Sequence, residues 1–298
     1  MNDKKIFNWK AIFLLALIIG LVVSSALLAN GLGYLGVTSP SGKVPKINKD
    51  NASQTAQKVF EALTPGSKLK SIELIERRYG KQLLWEALSD QDGEVQVNAI
   101  NGEIKFVLNM KNVIDVTSDA RASHPLISKE SALQSVRKIA KDLQLFVPDE
   151  EPDEANLLKH SDNKDAVHRW YFKWAREEQG FEYHDDWVFA YVDAYKGKLI
   201  GYNKNYVSYT KPSLDIKIKE AEALELAKKI ANKNGYSLIP EKSELMIVNP
   251  NYRWTDNFVM FPEETRLAWI IHFSKLTGIG EIWIDASTGE MLGGDETK

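Results

Sequence analysis

Hydrophobic residues recur at spacings of three and four in three separate stretches of the chain, and each stretch predicts an amphipathic helix. The first stretch places these residues on one helical face: Ala52, Ala56, Val59, Phe60 and Leu63. The second has Ala132, Leu133, Val136, Ile139, Ala140 and Leu143 in one arc. The third has Ala223, Leu224, Leu226, Ala227, Ile230 and Ala231. The second and third stretches align residue by residue without a gap, which indicates an internal repeat.

A second pattern, alternating large residues, follows each helix and predicts strands. Tryptophan occupies equivalent places in these strands, at Trp85, Trp170 and Trp269. Aromatic residues repeated in this way indicate core positions more strongly than a platform for a ligand. The strands are therefore predicted to place one aromatic face against the helix.

A hairpin turn is repeated after these strands with the pattern Asx-Ala-x-x-Gly. Its copies begin and end at Asn98 and Gly102, at Asp193 and Gly197, and at Asp285 and Gly289. A short Asp or Asn side chain accepts hydrogen bonds from turn amides, and glycine adopts the positive φ that a tight reversal needs. We therefore assign these six residues a structural role in the turns.

The order of helix, strand, strand and strand predicts an α+β fold made of repeated modules. Each module is expected to pack one helix on its own small antiparallel sheet. Residues 51–116 form the first and most divergent module, residues 125–210 the second and residues 214–298 the third. Residues 37–50 are rich in proline, glycine and polar residues and are interpreted as a linker.

The first 36 residues predict a membrane anchor. The segment from residue 11 to residue 29 has no charge, and the apolar run continues to residue 35, which is long enough for a helix to cross a bilayer. Three lysines precede it, and the next basic residue is Lys43. This bias predicts a cytoplasmic N-terminus, membrane contact through residues 11–35 and an extracellular body on a single-pass anchor. The lysines are Lys4, Lys5 and Lys10.

A cleaved signal peptide is the alternative interpretation of the same segment. Ser24, Ser25 and Ala26 would form the small-residue cleavage site. The apolar run extends beyond that site, which favours an anchor that is retained.

Charge and composition exclude several other classes of protein. The formal net charge is -3, and the lysine-rich start makes the rest of the chain more acidic than this value. A mildly acidic body binds polyanions poorly, so nucleic acid is not an expected partner. The chain has no cysteine, which excludes disulfides, thiolate metal sites and cysteine nucleophiles.

Candidate catalytic chemistry is sparse in the sequence. The five histidines, which lack metal-ligand spacing, are His124, His160, His168, His184 and His272. The local cluster His184-Asp185-Asp186 is interpreted as a solvated approach to a strand, with a group of metal ligands as the alternative. The acidic stretch from Asp149 to Glu154 is interpreted as a solubilising loop, with a docking site for a basic partner as the alternative. No nucleophile elbow, Walker loop or dinucleotide fingerprint occurs. The sequence thus predicts no catalytic residue, no cofactor and no metal.

Two parts of the chain resemble the PepSY domain of bacterial peptidase propeptides and membrane-associated proteins. The resemblance rests on the helix start Ile-Ser-Lys-Glu-Ser-Ala-Leu at Ile127, and on Val-Asp-Ala-x-x-Gly-Lys-Leu-Ile at Val192. It rests also on Ile-Asp-Ala-Ser-Thr-Gly-Glu-Met-Leu at Ile284. It covers residues 127–202 and 218–294 and is weaker over residues 51–108, where Asn98 replaces the aspartate.

The PepSY resemblance implies a noncatalytic, cystatin-like α+β module outside the cytoplasmic membrane. Such modules are often proposed to bind or restrain peptidases. Repeated modules behind one membrane segment are also similar to wall-associated proteins of Gram-positive bacteria. The residues that carry the resemblance are explained by folding, so they bring no active site with them.

Three functional hypotheses follow from these patterns. The first is an interaction protein that binds a peptidase, a cell-wall hydrolase or another extracytoplasmic protein. The second is a regulatory partner of a membrane sensor or transporter, and the third is a hydrolase with a composite site. An aromatic stretch predicts part of a partner-binding groove, formed by Tyr252, Trp254, Phe258 and Phe261.

Overall fold

The structure is a computed structural model. It describes residues 43–77, 82–111, 126–158, 168–206, 210–236, 239–253, 264–273 and 280–295. The predicted membrane segment, residues 11–35, lies outside these ranges. Within the described ranges, no helix combines the length and the hydrophobicity needed to cross a membrane.

Three helices occur in the described residues where the apolar spacing predicts them. They are α1 (Lys49–Leu63), α2 (Lys129–Leu143) and α3 (Glu220–Lys233). The side chain of Asn48 caps α1 by accepting a hydrogen bond from the Asn51 amide at 2.8 Å. Ser128 caps α2 in the same way, whereas Lys219 at the start of α3 makes no side-chain cap. The first two helix starts are therefore better satisfied than the third.

Twelve strands occur in the same ranges. In the N-terminal half they are β1 (Leu69–Arg77), β2 (Gln82–Ser89), β3 (Gly93–Asn98), β4 (Ile104–Asn109), β5 (Glu154–Leu158), β6 (Arg169–Glu178), β7 (Phe181–Asp193) and β8 (Leu199–Asn205). The C-terminal strands are β9 (Pro240–Val248), β10 (Arg266–Phe273), β11 (Glu281–Asp285) and β12 (Met291–Asp295).

The strands join into one twelve-stranded sheet. The main path runs β1-β2-β3-β4-β8-β7-β9-β10-β11-β12, with β5 and β6 branching from β7. β4 pairs antiparallel with β8, so strands from the first two repeats are neighbours. β7 meets β9 through a single parallel pair, Tyr183 with Ile247.

This topology shows that the predicted fold of separate modules, each with its own small sheet, is wrong. The repeats share a continuous mixed sheet because their edge strands pair with each other. An isolated sheet of three or four strands would leave unpaired amides and carbonyls along both edges, and edge pairing removes two of these rows. Local sequence patterns predict the strands but do not indicate which strand edges pair between repeats.

The core is divided unequally along the sheet. α1 and α2 cover one large cluster that includes Phe60, Val136, Phe172 and Trp174. The C-terminal strands carry three smaller clusters. In α3 the buried residues are all alanine: Ala223, Ala227 and Ala231. The N-terminal strands are thus backed by a much larger core than the C-terminal strands.

Candidate functional site

The repeated hairpin turns have a shared hydrogen-bond geometry. In the third turn, Oδ1 of Asp285 accepts hydrogen bonds from the amides of Ser287 and Thr288, both at 2.8 Å. Equivalent bonds reach Asn98 from the amides of Ile100 and Asn101, and Asp193 from those of Tyr195 and Lys196. These side chains are occupied by the turns that contain them.

The glycine that ends each turn has a left-handed backbone. The φ angles are +78° at Gly102, +64° at Gly197 and +76° at Gly289. A Cβ atom at Gly197 would also lie 2.6 Å from Oγ of Ser135 in α2. Glycine therefore permits both the turn and the close approach of the helix.

The three repeated tryptophans attach the sheet to the segment before each helix. The indole Nε1 atoms of Trp85, Trp170 and Trp269 donate to the carbonyl oxygens of Ile47, Ile127 and Ile218 at 2.8, 3.1 and 2.9 Å. Because each indole N–H is bonded to backbone, these residues serve the fold and do not present a platform for a ligand.

The predicted aromatic groove falls mostly outside the described residues. Trp254, Phe258 and Phe261 lie in the range 254–263, of which the structure describes nothing. Tyr252 is half-buried against the cluster that contains Val248, and its hydroxyl lies 2.8 Å from Oε1 of Glu264, to which it donates. The groove stays a prediction, with Tyr252 as its one described member.

A network of histidines and carboxylates joins β7 to the C-terminal strands. Nε2 of His184 lies 3.1 Å from Oε2 of Glu281, and Nδ1 lies 3.3 Å from Oδ1 of Asp185. The other oxygen of Glu281 lies 3.3 Å from Nδ1 of His272, whose Nε2 is 2.8 Å from Glu244. We call these five residues the junction network.

The charges of the junction network explain its shifted pKa values. Burial alone would lower the pKa of His184, but the ion pair with Asp185 and the hydrogen bond with Glu281 outweigh burial and raise it to about 10. Burial raises the pKa of Glu281, and its bond to His184 outweighs that effect and lowers it. His184 is therefore an imidazolium paired with carboxylates, which suits a structural contact better than proton transfer near neutral pH.

The other histidines offer no metal site in the described part of the chain. Nδ1 of His168 lies 2.7 Å from the hydroxyl of Tyr195. His124 and His160 lie outside the described ranges. Within those ranges, no group of three or more histidines and carboxylates has the arrangement to hold a metal ion.

The acidic stretch from Asp149 to Glu154 is tied to the body of the protein. Arg137 in α2 donates to the carbonyl oxygens of Asp149 and Glu150, and Oδ2 of Asp153 accepts from the Ala175 amide at 2.7 Å. Glu154 begins β5 and pairs with Lys173 at 2.8 Å. The backbone of this stretch and the carboxylates of Asp153 and Glu154 are therefore engaged in local contacts.

The face of the sheet turned away from α1 and α2 has a row of aromatic side chains. On β7 the small residues Val188, Ala190 and Val192 belong to the helix-covered core, so the alternating residues point to the other face. These are Trp187, Phe189 and Tyr191, and Tyr171 of β6 pairs with Tyr191. We call these four half-buried residues the aromatic row.

Ring contacts make the aromatic row continuous. The ring centroids of Trp187 and Phe189 are 4.9 Å apart, those of Phe189 and Tyr191 are 5.0 Å apart, and those of Tyr191 and Tyr171 are also 5.0 Å apart. The guanidinium of Arg169 lies 4.9 Å from the centre of the Tyr191 ring. The row thus presents aromatic edges and a cation together.

A cavity of about 470 Å³ lies beside the aromatic row on the same face. Its aromatic residue is Phe106, which pairs across the sheet with Asn203, and Asn203 pairs with Phe189. Charged residues at its wall are Arg77, Glu94, Lys105 and Lys204; amide residues there are Gln82, Gln96, Asn203 and Asn205. We call this cavity the polar basin.

Sequence reasoning did not identify the aromatic row or the polar basin as candidate sites. The alternation of bulky and small residues from Trp187 to Val192 indicates a strand with two different faces, but it does not indicate which face the helices cover. In β7 the small residues face the helices. The polar basin depends on the pairing of β4 with β8, which no local motif records.

Comparison with family models finds no match for this chain, and no curated protein matches it. Among solved structures, the Bacillus megaterium YpeB C-terminal domain has 15% identity and a TM-score of 0.40, covering 85% of this chain and 99% of that chain. An uncharacterized protein from Eubacterium rectale has 12% identity and a TM-score of 0.42, covering 83% and 82% respectively. Similarity at this level carries no argument about function, so the PepSY resemblance stays a prediction.

Proposed function

We propose that this chain is a noncatalytic binding protein, held at the membrane by residues 11–35 and displayed on the outer side. Its partner is another extracytoplasmic protein, a peptidase or a cell-wall hydrolase. The aromatic row is the contact surface. The partial exposure of its four half-buried members, on a sheet face turned away from the helices, is the observation that carries this proposal.

The composition of the aromatic row supports protein binding. Tyrosine, tryptophan, phenylalanine and arginine are enriched at the centres of protein interfaces, where a few such residues supply most of the binding energy. Around the row, the ion pair of Lys173 with Glu154 has exposed fractions of 34% and 44%, which suits a polar rim. An apolar centre with a charged rim is the usual anatomy of such a surface.

The titratable groups support binding over hydrolysis. A hydrolase needs ionisable side chains with perturbed pKa values that converge on a cavity. In the described residues, the strongly shifted histidine is His184, and it is engaged with Asp185 and Glu281. Neither His184 nor Glu281 lines the polar basin or the cavities beside α1 and α3. Glu94 and Lys105, whose pKa values are also shifted, do line the polar basin, but each is held by a neighbour: Gln96 donates to Glu94, and Glu103 pairs with Lys105.

Crosslinking of the intact protein in its native membrane, followed by mass spectrometry, tests this proposal. We expect capture of an identified extracytoplasmic peptidase or wall hydrolase. The double variant Trp187→Ala, Tyr191→Ala should reduce that capture at least about tenfold, because truncation of hot-spot aromatics costs about 2 kcal/mol or more. The matched control is Ile239→Ala, which removes a 79% exposed side chain that precedes β9 and is not part of the row.

Two results would contradict the proposal. Equal capture by the wild type and the folded double variant would exclude the aromatic row as the contact surface. Loss of capture on removal of residues 1–36, with no effect of the double variant, would favour a regulatory partner of a membrane sensor or transporter. Circular dichroism of each variant establishes that the sheet is intact.

A further inference from the structure

One end of the polar basin has more positive than negative charge. Nζ of Lys105 lies 3.1 Å from Oε2 of Glu103, and the ammonium of Lys204 bonds to the other oxygen of the same carboxylate. The nearby ion pair of Arg176 with Asp186, at 2.7 Å, is neutral as a whole. Two ammonium groups therefore share one carboxylate, which leaves an excess of one positive charge.

Burial strengthens the effect of this excess. The side chains of Lys105 and Lys204 are only 7% and 11% exposed. Burial lowers the pKa of Lys105, and the neighbouring ammonium of Lys204 lowers it further, against the attraction of Glu103. A ligand carboxylate at this end would restore the balance of charge in a place where water screens it poorly.

The other end of the basin has the opposite imbalance. The Arg77 guanidinium lies 2.8 Å from Glu86 and 3.8 Å from Glu94, so among the described residues two carboxylates share one cation. Nε2 of Gln96 donates to both carboxylates, at 3.1 and 2.6 Å. Burial and the charge of Glu86 raise the pKa of Glu94. A ligand ammonium here would relieve the repulsion between the two acids.

The spacing of the two ends sets the length of a matching ligand. Glu94 and Gln96 belong to β3, Lys105 to β4 and Lys204 to β8, which are consecutive in the sheet. Two strand spacings amount to about 10 Å. Three extended residues cover about the same distance, at roughly 3.3 Å each. The amide side chains that also line the basin suit the polar groups of a peptide backbone.

We propose that the polar basin binds a short peptide of three residues with free termini. Its carboxylate binds at Lys105 and Lys204, and its ammonium binds at Glu94. The opposite charge imbalances at the two ends, in a cavity of about 470 Å³, carry this proposal. It does not rest on the aromatic row or on the protein partner proposed above.

Calorimetric titration of the full chain with trialanine tests the site. Trialanine should bind, while N-acetyl-trialanine and trialanine amide should each bind at least about tenfold more weakly, since each loses a charge-assisted contact. Lys105→Met should abolish the preference for a free carboxylate, and Glu94→Gln the preference for a free ammonium. The matched controls, Lys228→Met and Glu225→Gln, alter an exposed ion pair on α3 and should bind like the wild type.

Absence of binding at millimolar trialanine would overturn the proposal, and so would equal affinity for the free and blocked peptides. If Lys105→Met fails to fold, Lys204→Met tests the same end of the basin. The double variant Trp187→Ala, Tyr191→Ala should still bind trialanine. Failure of the peptide site is therefore distinguishable from failure of the aromatic row as a protein contact.

Discussion

Residues 43–206 and residues 210–295 use the same helix and hairpin pattern but pack it in different ways. In the N-terminal region, α1 and α2 share one core that contains Phe60 and Val136. In the C-terminal region, α3 buries only alanines against the sheet, while Leu224 and Ile230 are half-buried. The same pattern thus gives a large shared core in one region and a thin one in the other.

The difference is set by which strand edges meet. Pairing of β4 with β8 brings α1 and α2 side by side, so each helix covers a flank of the other. In the described residues, α3 has no second helix beside it. A groove of about 560 Å³ lies between α3 and the start of β9, and Ile239 at its edge is 79% exposed. Core size therefore depends on long-range pairing and not on the helical pattern itself.

Truncation of a core residue in each region gives the largest expected contrast. Phe60→Ala in α1 should lower the free energy of unfolding by about 4 kcal/mol, because it leaves a cavity in a packed core. Leu224→Ala in α3 should cost about 1 kcal/mol, because the side chain is already half-exposed. Urea denaturation of both variants measures these values. Equal losses would show that the two cores are equivalent.

The junction network predicts an intermediate effect that depends on pH. His184 has its pKa raised from 6.5 to about 10, so its stabilisation is complete below pH 6.5 and is lost as the pH rises toward 10. The pKa of Glu281 is lowered from 4.5, so the stabilisation that Glu281 contributes is complete above pH 4.5 and is lost as the pH falls through the lowered pKa. Glu281→Gln should cost about 3 kcal/mol near pH 6, the scale for breaking a buried ion pair.

The pH profile of unfolding separates this contact from a general loss of stability. The difference between wild type and Glu281→Gln should shrink above pH 10, where His184 is neutral in both proteins. Glu225→Gln, in an exposed pair on α3, should show no such dependence. A constant difference across the pH range would mean that Glu281 acts through packing and not through its charge.

The sequence predicts local elements of this fold better than their assembly. Helical spacing identifies α1, α2 and α3, because an amphipathic face is specified by residues within one segment. The single parallel pair of Tyr183 with Ile247 has no such signature, because strand pairing is made by backbone groups that every residue carries. The stretch that begins with Asp149 was interpreted as an acidic surface loop, yet Glu154 starts β5.

The same limit applies to the candidate sites. Phe106 and Phe189 are distant in sequence, and each has the sequence context of an ordinary strand residue. They become neighbours of Asn203 only when β4 and β7 flank β8. Charge imbalance in the polar basin likewise arises from residues on five strands. A site of this kind is predictable from sequence only after the strand order is known.

The smallest effect is expected from matched changes in two hairpin turns, one in each region. Asp285→Asn should cost about 2 kcal/mol, because Oδ2 of Asp285 lies 3.1 Å from the Arg266 guanidinium and its charge supports that contact. Asp193→Asn should change the free energy of unfolding by no more than about 0.5 kcal/mol. Oδ2 of Asp193 has no hydrogen-bond partner in the described residues, and asparagine already occupies the equivalent position of the first turn, as Asn98.

The free energy of unfolding at acid pH distinguishes Asp285 from Asp193 further. Burial raises the pKa of Asp285, but hydrogen bonds from Ser287 and Thr288 and the charge of Arg266 outweigh burial and lower it below 3.8. The stabilisation from Asp285 is thus present above pH 3.8 and is lost as the pH falls through the lowered value. The cost of Asp285→Asn should therefore disappear in strong acid. Equal losses of unfolding free energy for Asp285→Asn and Asp193→Asn at neutral pH would mean that Arg266 does not stabilise the third turn. The hairpin turns of the two regions would then be stabilised in the same way.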